Sequence, residues 1–186
     1  GGGHSRSRHR DLFAHPVAHV AGGRARVSEA FSLPPDARAK LYLWRAAKAR
    51  IVFTNGVFDL LHRGHVEYLE EARALGDRLV VGLNSDASTR RWKGPSRPIV
   101  GEGDRLALVS ALACVDLAVL FDDDTPLRLI ESVQPDVLVK GGDYEVADIV
   151  GREVVEARGG RVTTIALREG ISTSEIVRRI REGKGV

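Results

Sequence analysis

From residue 50 onward, apolar and polar positions fall into alternating blocks. Short apolar runs recur at "RIVFT" (50–54), "DRLVVGLN" (77–84), "VDLAVLF" (115–121), "DVLVK" (136–140) and "GRVTTIAL" (160–167). Between them lie stretches with helical spacing: about Gly64 to Leu75, "EGDRLALVSALA", "TPLRLIESV", "VADIVGREVVEARG" and the closing "STSEIVRRIRE". The runs are continuous in Val, Leu and Ile, the signature of parallel strands covered on both faces. Five such units predict an α/β fold, a doubly wound five-stranded parallel sheet with right-handed crossovers, as a single domain over 50–182. Ligands of such sheets sit beyond the carboxyl ends of the strands, where the strand order reverses. The loops after each run are therefore where chemistry is expected.

Ahead of the first run, "SLPPDARAKLYLWRAAKAR" predicts a helix over 34–49, with Pro34 and Pro35 at its start and Leu41, Leu43 and Trp44 available for packing. Residues 1–33 show no periodicity and are expected to be a disordered or tag-derived basic segment; 183–186 form a short tail. The 186 residues are 43% hydrophobic and 28% charged, a globular composition. No apolar run approaches the ~18–20 residues of a membrane span, so no membrane partner is expected. The single cysteine, Cys114, cannot form an internal disulfide and is expected to be a buried small hydrophobe, with cytoplasm the expected compartment.

The net charge of +3 is unevenly spread: residues 1–50 hold ten Lys/Arg against three Asp/Glu, leaving 18 against 22 for the rest. The basic segment lacks a regular basic face or interleaved aromatics, and no nucleic-acid partner is expected.

The stretch "FTNGVFDLLHRGHVEYL" (53–69) carries the strongest chemical signal. His62 and His65 fall three apart at the start of the first helix after the first strand, on one face of its opening turn. Free N–H groups and the positive dipole end suit an anion there, and two imidazoles add adjustable donors. Gly64 keeps bulk away from whatever covers the turn, and Gly56 permits close approach to a ligand. A chain with 6 His and 20 Gly would show H-x-G-H about 0.02 times by composition alone. Phosphate chemistry is the expected role. His15 and His19 lie in the irregular N-terminal segment and are given none.

This stretch resembles the H-x-G-H nucleotidyltransferases, the cytidylyltransferase-like superfamily. Together with "KGPSRPI", "DRLALVSALACVD", "FDDDTPLRLIESVQPDVLVKGGDY" and "STSEIVRRI", it is similar to the adenylyltransferases that make ADP-heptose from heptose 1-phosphate, over about residues 48–182. The resemblance implies that Thr54, Asn55, Gly56, Phe58, Gly64 and Asp86 lie along the nucleotide and Asp59 along the second substrate. Val57 stands where that family usually has cysteine, a core-sized exchange. "REGISTSEI" is closer to the closing motif of glycerol-phosphate cytidylyltransferases, which leaves CTP and a polyol phosphate as the alternative substrates. Relatives are often fused to a sugar kinase; residues 1–49 are too few for one, so a separate upstream kinase is expected. Relatives also commonly form homo-dimers or larger homo-oligomers.

Four further segments supply candidates. "LNSDASTRRWKGPSRP" reads as a long basic loop after the second strand, with Arg90, Arg91, Lys93 and Arg97 free of acidic sequence neighbours. Such a loop suits closure over a triphosphate, and the resemblance selects Lys93 as the catalytic contact. Arg105 either reaches the same region or is a helix-surface charge. In "LVKGGDY", two glycines allow close backbone approach. The resemblance places that loop by the base and acceptor, making Gly142 and Asp143 nucleotide-binding and Lys140 and Tyr144 substrate-binding candidates. Ser172, Thr173 and Ser174 open the last helix; Ser172 and Glu175 have capping-box spacing, and such a start also binds phosphate oxygens. In "FDDDTP", adjacent carboxylates diverge, so Asp124 is expected as a helix N-cap at the edge of the acceptor pocket and no protein-held metal is expected.

Assembled, these loops imply attack by the phosphate oxygen of a sugar 1-phosphate on the α-phosphorus of ATP. The nucleophile is already anionic, so positioning and charge stabilisation suffice. Mg²⁺ is expected as cofactor, held mainly on the nucleotide phosphates.

Overall fold

The computed structural model describes residues 31–142, 144–168 and 170–184. Among them the sheet has five parallel strands: β1 (Ile51–Gly56), β2 (Arg78–Asn84), β3 (Leu117–Phe121), β4 (Val137–Gly141) and β5 (Arg161–Ile165). The spatial order is β3-β2-β1-β4-β5. The chain thus walks outward from β1 to β3, then returns to the other side of β1 with β4. Register runs Ile51 opposite Arg78 and Val52 opposite Val137, so β1 is flanked by β2 and β4 at the switch point.

Side chains alternate across the pleat into two apolar layers. Ile51, Phe53, Val80 and Leu138 pack with α1 (Pro35–Ala46), α5 (Leu127–Val133) and α6 (Arg152–Glu156). Val52, Leu79, Val81, Val137 and Val139 face the other way, against α2 (Arg63–Arg73) and α4 (Glu102–Ser110). Helices on both faces are what the continuous apolar runs require. The central strands are buried along their length, whereas β3 alternates and β5 is half-exposed, because these two form the edges.

Several boundaries depart from the sequence reading. Phe31 packs against the core and Leu33 is buried in it, so the expected N-terminal segment over 1–33 gives its last residues to the fold; residues 1–30 lie outside the described residues. In α1, Leu41 is buried and Trp44 is half-covered, with the Arg78 guanidinium 5.6 Å from its ring, but Leu43 points outward at 63% exposure. Cys114 is only partly buried. The helix expected over 146–159 is broken into a short 3₁₀ turn (Val146–Asp148) and α6. Gly151 between them has φ of 90°, and a Cβ there would lie 2.6 Å from Ile130 Cδ1, so glycine's freedom sets the break.

The basic loop expected after β2 is largely a helix, α3 (Asp86–Lys93). Ser85 is its N-cap, accepting the Ser88 N–H at 2.9 Å, with an acid in the first turn and Arg90, Arg91 and Lys93 in the last. Cap and dipole stabilise it where an apolar stripe is nearly lacking. The last helix, α7 (Thr173–Arg181), begins where expected. No helix among the described residues is long and apolar enough to cross a membrane.

Candidate active site

Beyond the carboxyl end of β1, residues 57–62 turn the chain into α2, whose N-cap is His62. Phe58 in that turn holds φ at 49°, a left-handed conformation unusual for an aromatic, while 2% exposed. Packing that confines the ring maintains this strain at the edge of the site. The His62 carbonyl accepts the His65 N–H at 2.9 Å, closing the first turn. This places the two imidazoles face to face, centroids 3.8 Å apart and planes within 18°. The Phe58 ring leans on His65 at 5.2 Å.

Burial pushes the His62 pKa down, and it pushes His65 down to about 3, helped by repulsion from His62 and Lys93. Both rings are therefore neutral at physiological pH, as close stacking requires. Neither ring nitrogen of His62 has a hydrogen-bond partner among the described residues, although both are buried. Gly64 leaves space for this arrangement: a Cβ there would lie 3.2 Å from the His62 ring and 3.1 Å from Ile171. What covers the turn is thus the histidine itself and the segment leading into α7.

His65 forms one wall of a cavity of about 310 Å³. Ser172, Thr173 and Ser174 form a second. Ser172 caps α7 by accepting the Glu175 N–H at 3.1 Å, but the Glu175 carboxylate turns to Arg178, so only half of the capping box is made. The third wall is the end of α3 and the loop beyond it, with Trp92, Lys93 and Arg97. The Lys93 ammonium lies 5.8 Å from the Trp92 ring centroid. The three phosphate-binding segments expected from the sequence thus converge on one space.

Several expected ligand contacts are engaged elsewhere. Asp59 lines the cavity, yet its carboxylate accepts the Ile99 and Val100 N–H groups at 2.8 and 2.9 Å and the Arg97 guanidinium at 3.0 Å. It anchors the loop instead of presenting a free carboxylate. Arg105 is neither a surface charge nor a phosphate contact. It is fully buried and donates to the Val100 carbonyl, the Val57 carbonyl and Asp86. Asp86, taken as nucleotide-binding, is the acidic end of that clamp. The Thr54 hydroxyl pairs with Tyr68 at 2.6 Å inside the core. Asp124 does not cap a helix: α5 starts after Pro126, and Asp124 makes an exposed ion pair with Arg91. Arg91 and Arg97 find Asp122 and Asp59 in space, while Arg90 pairs with Asp86 one turn back along α3.

At the switch point, Lys140 on β4 donates to Asn55 Oδ1 on β1 at 2.9 Å. The ammonium is buried, with no carboxylate beside it among the described residues, and burial pushes its pKa down to about 7. Gly56 ends β1 inside the buried core of the sheet. Gly142 turns the chain after β4 at φ 105°, and Tyr144 packs half-buried near it; Asp143 lies outside the described residues. Trp92 and Val57 are cavity-wall residues that sequence reasoning passed over. The signal for Trp92 was an aromatic inside an otherwise polar, basic segment. Among the described residues no group of three His, Cys, Asp or Glu side chains is placed to hold a metal ion.

Residues 53–179 match the family model described as cytidylyltransferase-like. The chain is 61% identical over 134 residues to the bifunctional protein HldE of Geotalea uraniireducens, covering 72% of this chain and 27% of that one. It is 56% identical over 141 residues to the bifunctional protein HldE of Geobacter sulfurreducens, covering 76% and 29%. The chain therefore spans less than a third of these curated relatives. A solved lipopolysaccharide core biosynthesis protein from Thermoplasma volcanium superposes with a TM-score of 0.54 at 35% identity, over 64% of this chain and 97% of that one.

Proposed function

Because this chain belongs to the cytidylyltransferase-like family of nucleotidyltransferases, we propose that it transfers AMP from ATP to a heptose 1-phosphate, giving ADP-heptose and pyrophosphate for lipopolysaccharide or another surface glycan. The observation that carries this reading is His65, stacked on His62, facing Lys93 and the Ser172–Ser174 helix start across one cavity. The likeness to the HldE proteins and to the lipopolysaccharide core protein supports the sugar-phosphate side.

In this reading the sugar phosphate oxygen bonds to the α-phosphorus as the bond from that phosphorus to the α,β-bridging oxygen breaks, and the electron pair leaves with pyrophosphate. The attacking oxygen is already anionic, so no base is required. A neutral imidazole offers one N–H donor, and both rings are buried, which strengthens such a donor's interaction with developing charge. His62 and His65 donate to the α-phosphate and the bridging oxygen as charge develops there. Lys93 and the N–H and hydroxyl groups at the start of α7 hold the β- and γ-phosphates. Mg²⁺ fits as an ion carried by the nucleotide, because the cavity's own carboxylate, Asp59, is engaged by Arg97 and two N–H groups; it supplies charge neutralisation on the phosphates.

The test is pyrophosphate release with heptose 1-phosphate, comparing ATP and CTP. Release with ATP, falling by ~10²–10³ in His65→Ala, is expected. Turnover of His65→Ala within threefold of the parent would refute the assignment. A CTP preference would favour transfer to glycerol 3-phosphate or another polyol phosphate, the second reading that the Ile171–Ser174 sequence suggests.

A further inference from the structure

At the opposite end of the sheet, the first residue of β1 opens into a second cleft of about 340 Å³, as roomy as the active-site cavity. Its walls carry Arg45, Lys48, Arg50 and Arg158 against a single acid, Asp136. That carboxylate already accepts the Ile51 N–H at 2.7 Å. Neighbouring arginines are neutralised differently: Arg73 and Arg78 share Asp116, and Arg152 pairs with Glu156. Lys48, Arg50 and Arg158 make no ion pair among the described residues.

Helix ends explain part of this. Arg45 donates to the Val133 carbonyl at the end of α5, as cations at helix C-termini do. Lys48, Arg50 and Arg158 add three more cations to the same concavity, and Arg45 registers the crowding: burial and the Arg158 charge together push its pKa down, with Asp136 only partly opposing. The lining holds no aromatic ring on which a base could stack, and it is concave and small. Charge is thus the only recognition it offers.

We infer that this cleft binds a small, multiply charged phosphate-bearing anion, a phosphate monoester or pyrophosphate, at a site separate from the active site. The length of β1 alone keeps the two apart by roughly 17 Å at about 3.3 Å per residue. An oxyanion here would relieve the repulsion and take charge-assisted hydrogen bonds from several donors.

The test is titration of the full ¹⁵N-labelled chain with inorganic pyrophosphate, read amide by amide. The expected result is saturable shifts at Lys48–Ile51, Gln134, Asp136 and Arg158–Gly160, in addition to shifts at the active site. In Arg45→Gln/Arg158→Gln the apparent Kd at the cleft amides should rise at least about tenfold, with the active-site shifts retained. Lys48→Gln/Arg50→Gln, which leaves Arg45 on Val133, should give the same result if the first variant unfolds. Shifts confined to the active site, or cleft shifts that survive either folded variant unchanged, would overturn the proposal.

Discussion

Gly64→Ala separates stability from activity and tests the histidine arrangement directly. Gly64 lies in the first turn of α2 and its φ is not in the left-handed region, so alanine suits the backbone. Alanine should gain up to about 1 kcal/mol of helix propensity. Against that, the new Cβ meets the His62 ring at 3.2 Å and Ile171 Cγ2 at 3.1 Å, and each neighbour must yield by a few tenths of an ångström. These contributions are comparable, so the melting temperature should move by no more than about 3 °C in either direction. Catalysis should respond more strongly. Displacing a group by 1 Å can cost about 10²-fold in rate, so a few tenths applied to His62 should lower kcat about tenfold. Thermal unfolding and the pyrophosphate-release assay on the same preparation measure both. A kcat within twofold of the parent, with the protein equally stable, would show that the close packing on Gly64 does not position the imidazole. A drop of more than about 8 °C would show that the turn cannot accept the methyl at all.

Asp59→Ala removes the acceptor for two N–H groups and the Arg97 guanidinium and should cost about 3 kcal/mol in urea unfolding; a loss below 1 kcal/mol would contradict an anchoring role. For Lys140, the folded pKa of about 7 lies below the ordinary 10.5, so the unfolded chain binds more protons between those values and stability should rise with pH across that window. Lys140→Met should therefore be more stable than the parent at pH 6, by roughly 2–4 kcal/mol, with the advantage shrinking toward pH 10; a pH-independent difference would argue against a depressed lysine. His65, held at about 3 against 6.5 when unfolded, should show no imidazole titration by NMR between pH 5 and 8. Its contribution is complete above pH 6.5, and stability should fall as pH drops from there toward 3.

The periodic parts of the fold were legible because both-face burial leaves an unbroken run of Val, Leu and Ile, and because a helix start writes itself in caps such as Ser172. α3 escaped because its stability comes from Ser85 and charge placement instead of an apolar stripe. Within the site, residue type gave His62 with His65 and the Ser172–Ser174 helix start, and the family resemblance singled out Lys93 within the basic segment; these segments converge on one cavity. It did not reveal which polar groups face the cavity and which are consumed by the scaffold. Asp59, Asp86 and Arg105 look like ligand contacts in sequence, since a carboxylate or guanidinium near a phosphate motif reads the same whether it holds a substrate or a loop. The partners that decide it, Ile99, Val100 and the Val57 carbonyl, lie about 40 or more residues away along the chain or are backbone atoms that carry no sequence signature.

The fully buried Arg105 has a consequence for protein engineering. Its guanidinium ties the turn after β1, the start of α3 and the strap before α4 into one hydrogen-bonded unit. Exchanging only the α3–α4 strap between two such enzymes would therefore cut through a shared joint. A chimera that moves residues 57–59, 86 and 97–105 as a set keeps the joint whole; one that moves the strap alone inherits a mismatched guanidinium at its centre.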